Sequence, residues 1–355
     1  MPKIVVVAGD GIGPEIMEEA KRVLGCFKNE LAFEFEDKPI GGAAIDSHDH
    51  PFPQETQDAA MKADAILLGA VGGPKWDSIP LEKRPEKGLL AIRKTLDLYA
   101  NLRPLVIWPQ LTGFSPLRPE RLSGVSFVIV RELTGDVYFG QPRGTKEVNG
   151  ERAAYDTMIY SESEVRRIAK VAFDLARQRN KRVCSIDKSN VLESMRFWRG
   201  IVEDVHSKDY ADVELSHLYV DNAAMQIIRQ PSAFDVMLTP NMFGDILSDE
   251  AAVLSGSLGL LPSASIGGKI ALYEPIHGSA PDIAGKGLAN PIGMILSAAM
   301  MLELSFGRKD LAQKIEAAVG KALNDGLRTA DIYSEGMQRV STSEMGHAIE
   351  KAIAG

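Results

Sequence analysis

Only two cysteines, Cys26 and Cys184, occur in the 355 residues, and they form neither a disulfide framework nor a CxxC metal pattern. That excludes a cysteine-stapled secreted fold, predicts a reducing compartment, and leaves both thiols as small buried hydrophobes. Basic charge is in deficit: 40 Lys and Arg stand against 48 Asp and Glu, a net charge of −8, so no nucleic acid is expected as a partner. An anionic substrate must then be met by a locally basic pocket. Long apolar runs are missing too. The opening MPKIVVVAGDG is too short an apolar stretch for a signal peptide, and Pro291 to Leu304 is interrupted by Ser297 and Glu303. No membrane association is expected, and the chain reads as cytoplasmic. Two phosphate-binding signatures are also absent. The glycines at 9, 11 and 13 do not spell GxGxxG, and no GxxxxGK[ST] occurs, which argues against a Rossmann dinucleotide site and a phosphate loop.

What is present reads as an α/β protein with room for two domains and a sizeable core, at 45% hydrophobic and 25% charged residues. Lys3 to Ala8 and Ala63 to Gly69 are buried strands, each followed by a glycine-rich turn. A helix is expected from Ile16 to Phe27 and another beyond Pro85. Ser126 to Arg131 is a strand; Gly135 to Gly144 and Ala153 to Ile159 suggest short strands of a projecting hairpin. Ser161 and Glu164 are spaced as a capping box for a helix over Val165 to Gln178. Strands over 182–186, 213–220 and 234–239 end near Lys188, Asp221 and Asp245. In open α/β sheets, ligand sites lie beyond the carboxyl ends of strands, so these three residues could converge.

Asp245 and Asp249 are four residues apart in an apolar helix, so their carboxylates share a face. Like charges at that spacing repel by a few tenths of a kcal/mol, and a hard divalent cation would reverse the sign. Solvent exposure near a helix N-terminus is the plainer explanation of such a pair.

The motifs GDGIGPE, ELTGDVYFG, DKSNVLE, NMFGDILSDEAAVLSGSLG and EPIHGSAPDIAGKGLANP run through nearly the whole chain. In them it resembles the isocitrate/isopropylmalate dehydrogenase family of metal-dependent β-decarboxylating dehydrogenases. The resemblance implies a two-domain, non-Rossmann α/β fold, with a first domain of residues 1–98 and 254–355 and a second of 99–253 carrying a β-hairpin dimerisation arm near 135–157. It also implies a homodimer with active sites shared between subunits. Arg93, Arg103 and Arg131 fall on substrate positions, where guanidinium forks suit the two carboxylates of a malate. Asp221, Asp245 and Asp249 match the ligands of one Mg²⁺ or Mn²⁺ per site, with Asp221 also at the substrate and coming from the other subunit. Tyr138 and Lys188 match the acid–base pair, Lys188 again crossing the interface.

Leu89 and Leu90, with Val191 of the neighbouring subunit, would form an apolar cleft for an isopropyl group, and Glu86 would repel the third carboxylate of an isocitrate. That points to oxidative decarboxylation of 3-isopropylmalate in leucine biosynthesis. Sister enzymes acting on D-malate, tartrate or homoisocitrate are the near alternative. His277, Gly278, Ser279, Ala280, Pro281, Asp282, Ile283, Asn290 and Asn190 are the implied cofactor residues. Asp282 would accept from ribose hydroxyls and repel a 2′-phosphate, favouring NAD over NADP. A catalytically silent paralogue would lack Tyr138, Lys188 or a metal aspartate, and none is missing.

Overall fold

The apolar, β-branched runs at 3–9, 65–70 and 126–132 become strands in the computed structural model, which describes residues 1–355. The chain begins with β1 (Lys3–Gly9), α1 (Gly13–Gly25), β2 (Glu34–Asp37), α2 (Gly41–His48), α3 (Gln54–Ala60), β3 (Ala65–Ala70) and α4 (Glu86–Thr95). It continues through β4 (Ala100–Val106), α5 (Pro119–Leu122), β5 (Ser126–Glu132), β6 (Gly144–Val148), β7 (Glu151–Tyr155), α6 (Glu162–Arg177), β8 (Arg182–Asp187), α7 (Glu193–Asp209), β9 (Glu214–Tyr219), α8 (Val220–Arg229), β10 (Val236–Thr239) and α9 (Asn241–Ala252). It then returns through β11 (Pro262–Ile266), β12 (Leu272–Pro275), α10 (Ile292–Leu304), α11 (Lys309–Asn324) and α12 (Thr342–Ala354).

Two units result. The first comprises Met1–Leu98, Trp108–Pro116 and Ser255–Gly355; the second comprises Tyr99–Ile107 and Leu117–Leu254. Residues 108–116, expected in the second domain from the sequence, belong to the first unit. Gln110 Nε2 donates to Asn324 at 2.6 Å, Arg328 reaches the Gln110 carbonyl at 3.4 Å, and Phe114 packs on Gly256.

In the first unit the strand order is β2-β1-β3-β12-β11, parallel except for β11 against β12. One face buries Val5, Val7, Ile66 and Leu68 with Ile40, Phe52 and Ile92. α10 packs on the sheet through β3, β11 and β12, and also against α1 and α11. It is buried nearly all round, which explains why no polar stripe is visible in its sequence. In the second unit the order is β4-β5-β10-β8-β9, with β4 and β5 antiparallel and the rest parallel. α6 has the expected capping box of Ser161 and Glu164, worth about 1 kcal/mol.

One expectation needs correction. Residues 135–143 are not a strand: Asp136 turns into left-handed backbone at φ 69° and its carbonyl accepts the Gly140 N–H at 2.9 Å. The hairpin is β6 and β7 alone, joined at Asn149-Gly150, where both residues have positive φ. The apolar run Ala251 to Leu261 lies mostly outside α9. The helix ends at Ala252, and short 3₁₀ turns follow over 253–255 and 258–260.

Candidate active site

β5 delivers Arg131 close to its carboxyl end, and α9 starts two residues after β10, its parallel neighbour. The helix then runs past the arginine. Gly244 allows the approach: a Cβ there would lie 2.8 Å from Arg131 Cγ and 2.2 Å from Thr239 Oγ1. Arg131, buried, donates through Nη1 to Asp245 Oδ1 and through Nε and Nη2 to Asn241 Oδ1 at 3.1 and 2.9 Å. Arg103 of β4 donates to Ser248 Oγ at 2.6 Å and lies 3.5 Å from Asp249 Oδ1 and 3.9 Å from Asp245 Oδ1. Asn101, on the same strand, accepts its Nε at 2.7 Å. Tyr138, in the turn after β5, donates to Asp245 Oδ2 at 3.0 Å, with its ring 5.9 Å from the Arg131 guanidinium. Burial, with the Asp245 charge beside it, pushes the phenol above its ordinary value and keeps it protonated. The Asp249 carboxyl is also raised, first by burial, with Arg103 opposing and Asp245 adding to the shift.

A second set lies at the ends of β8 and β9. Asp187 is fully buried; it accepts Arg199 Nε and Nη2 at 2.8 and 3.0 Å and Ser189 N at 2.9 Å, which shapes the turn carrying Lys188. Lys188 Nζ donates to Asp221 Oδ1 at 2.5 Å and stands 5.8 Å from the centre of the Tyr219 ring. The lysine holds the Asp221 carboxyl below its ordinary value. Val191 is 64% exposed, and Asn190 is exposed beside it. Asp221 does not join Asp245 and Asp249: no group of three acidic, histidine or cysteine side chains in the chain is placed to hold an ion. Hard carboxylate oxygens at Asp245 and Asp249 suit Mg²⁺ or Mn²⁺, so one chain offers two of the three expected ligands in one place.

The first unit holds the remaining predicted residues. Arg93 on α4 donates to Glu274 of β12 at 2.8 Å, both largely buried. Glu86 is exposed on the same helix, with Leu89 and Leu90 half-buried, Leu89 against the core. Residues 277–283 form a loop after β12. Ile12 N–H donates to the Ser279 carbonyl at 2.8 Å, and Gly11, at φ 57°, lies so close that an added Cβ would sit 1.9 Å from that oxygen. The GDGIGPE turn is thus docked on this loop by backbone. Ala280 has φ 38°, and Pro281 and Asp282 are exposed. His277 Nδ1 contacts the Gly278 carbonyl at 2.9 Å, while its Nε2 is buried without a partner; burial holds its pKa below the ordinary value. Gly278 has open space where a side chain would be, and Ile283 is half-buried. Asn290 is buried, accepts Ile292 N at 3.1 Å and donates to Asp331 at 3.0 Å. An orphaned imidazole nitrogen, open backbone at Gly278 and the outward carboxylate of Asp282 fit a dinucleotide's ribose and base.

Sequence reasoning missed Asn241, Glu274, Asp187 and Asp331, which hold predicted residues or their turns in place. All but Asp331 lie inside the quoted motifs, but nothing in a linear motif says which side chain turns inward.

The chain matches the isocitrate/isopropylmalate dehydrogenase family over residues 3–349. It is 59% identical over 355 residues to 3-isopropylmalate dehydrogenase of Pseudomonas putida, covering 99% of this chain and 98% of that one. It is 58% identical to the enzyme of the same name from Saccharophagus degradans, covering 99% of each. The crystal structure of isocitrate dehydrogenase from Methylococcus capsulatus superposes with a TM-score of 0.88 at 35% identity, covering 100% of both chains.

Proposed function

The chain belongs to the isocitrate/isopropylmalate dehydrogenase family, and from that premise we propose that it oxidises and decarboxylates 3-isopropylmalate to 4-methyl-2-oxopentanoate and CO₂, with NAD as hydride acceptor, in leucine biosynthesis. The observation that carries the reading is the gathering of Arg103, Arg131, Tyr138, Asp245 and Asp249 around one helical turn. Two guanidinium groups suit a dianionic malate, and Arg93 is assigned the same role. Glu86 disfavours a further carboxylate there, while Leu89, Leu90 and Val191 present the apolar surface that an isopropyl group buries for about 2–3 kcal/mol.

Asp245 and Asp249, with Asp221 of the partner subunit, would hold Mg²⁺ or Mn²⁺. When bound, the ion acidifies the substrate hydroxyl and offsets the charge of the enolate. With NAD bound as the hydride acceptor, Lys188 would take the substrate's hydroxyl proton, and the Tyr138 phenol would protonate the enolate carbon left when the β-carboxylate departs as CO₂. Arg103 and Arg131 keep the scissile bond aligned. Gly278, Ser279, Ala280, Pro281, Asp282, Ile283 and Asn290, with His277 and Asn190, are assigned to NAD.

A homodimer with shared sites accounts for the separation of Lys188 and Asp221 from the other aspartates. Met225, Ile228, Ile246 and Val253, on and just after α8 and α9, are each at least 38% exposed and offer the apolar contact.

The test is NADH formation from a panel of 3-substituted malates with Mg²⁺, with Mn²⁺ and with chelator. Preference for the isopropyl compound and loss of turnover in chelator are expected. Equal rates across the panel would overturn the substrate, and full activity in excess chelator would overturn the metal.

A further inference from the structure

Pro240 leaves α9 without a cap from its own residue, and the helix start is met instead by side chains from two other segments of the second unit. Tyr160 Oη accepts Asn241 N at 2.8 Å, Asp136 Oδ2 accepts Met242 N at 3.1 Å, and the Tyr160 hydroxyl donates to the same Asp136 oxygen at 3.3 Å. Asp136 stands two residues before Tyr138, and its Oδ1 accepts Val137 N at 2.7 Å. The cap of α9 and the turn bearing Tyr138 are therefore one structure.

Asn241 adds something the helix does not need. It is 1% exposed, and its side-chain amide works in two directions. Oδ1 accepts Arg131 Nε and Nη2, while Nδ2 donates to the Gly135 carbonyl at 3.3 Å; the Asn241 carbonyl also accepts Arg131 Nε, at 3.0 Å. One edge of the guanidinium is thus fixed on α9's first residue, and Nη1 is left directed at Asp245. Held in this way, the planar fork cannot turn its Nε–Nη2 edge to the carboxylate.

We propose that Asn241 is a positioning residue for the reaction: its amide locks the Arg131 guanidinium and the Tyr138 turn to the helix that carries Asp245, so that the three move as one body. This rests on the function proposed above. Misplacement of reacting groups by about 1 Å costs on the order of 10²-fold in rate.

The test uses the full chain with Mg²⁺ and compares Asn241→Ala with Asn241→Asp. In Asn241→Ala the KM for 3-isopropylmalate should rise and kcat should fall, lowering kcat/KM by about 10²-fold with the KM for NAD unchanged. Asn241→Asp keeps an acceptor for Arg131 but loses the donor to Gly135, so the malate KM should return while kcat stays low. Amide hydrogen exchange supplies a reading independent of turnover: residues 133–140 should exchange faster in both variants, and 277–283 should not. An unchanged kcat/KM in Asn241→Ala, an equal rise in the NAD KM, failure of Asn241→Asp to restore the malate KM, or unaltered exchange over 133–140 would overturn the proposal. If Asn241→Ala does not fold, the KM against kcat split and exchange in Asn241→Asp decide it. A wild-type chain that turns over none of the malates would refute the proposed function instead, leaving the exchange experiment to judge the tether.

Discussion

Asp245 is where the charges of the second unit converge: Arg131 and Tyr138 donate to its two oxygens, and Arg103 lies 3.9 Å away. An arginine does not lose its proton at working pH, so the repulsion between Asp245 and Asp249 is offset in the protein by the groups proposed to bind substrate. Asp282 carries a second residue-level argument, because an exposed carboxylate welcomes ribose hydroxyls and repels phosphate. Replacing Asp282→Ala together with Ile283→Lys should shift the ratio of kcat/KM for NADP over NAD by at least about tenfold, or about 1.4 kcal/mol; an unchanged ratio in steady-state assays would refute the assignment.

His217 supplies a pH dependence. Burial, then the nearby Arg199 charge, lower its pKa from the ordinary 6.5, with Glu203 at 3.5 Å opposing. The unfolded chain therefore binds the proton more readily, and this contribution to stability, present above 6.5, is lost as pH falls from 6.5 through the lowered folded value. Urea midpoints should decline over that window, and His217→Gln should flatten the decline.

At the scale of elements, the site is made by turns that strands end in. The turn from β1 to α1 lies against the loop after β12 because Gly11 has no side chain and a φ of 57°. Asp10, buried, fastens the same turn by accepting N–H groups from Gly42, Ala43 and Gly72 at 2.7 to 2.8 Å. Burial raises its carboxyl pKa, and those three hydrogen bonds oppose the rise. Gly11→Ala should push the 277–283 loop away, raising the dissociation constant for NAD about tenfold or more while leaving malate binding unchanged. Direct calorimetric titration of each ligand checks this; equal NAD affinity would show that the contact does not matter. The strain of a non-glycine residue at that φ, about 1 kcal/mol, should also appear as a lowered melting temperature.

For the whole molecule, the proposed sharing of sites predicts complementation. Tyr138→Phe and Lys188→Met homodimers should each lose at least about 10²-fold in kcat. Unfolded together in equal amounts and refolded, they should recover about one quarter of wild-type activity, because each mixed dimer carries one site with neither change. No recovery in mixed dimers isolated by affinity tags would place both residues in the same subunit's site.

Much of this molecule was legible in order along the chain. Strands such as β3 and β5, the capping box at Ser161 and the spacing of Asp245 and Asp249 follow from periodicity and local hydrogen bonding, which act within a few residues. The motif resemblance supplied the two-domain α/β expectation and the candidate site residues. Tertiary structure alone decided that 135–143 is a turn and not a strand, that α9 stops at Ala252, and that residues 108–116 join the first unit. It alone made Asn241 and Glu274 partners of arginines 110 and 181 positions away. Those outcomes depend on which buried donors meet which acceptors across long separations, and a sequence read in windows of one helical turn carries no record of that.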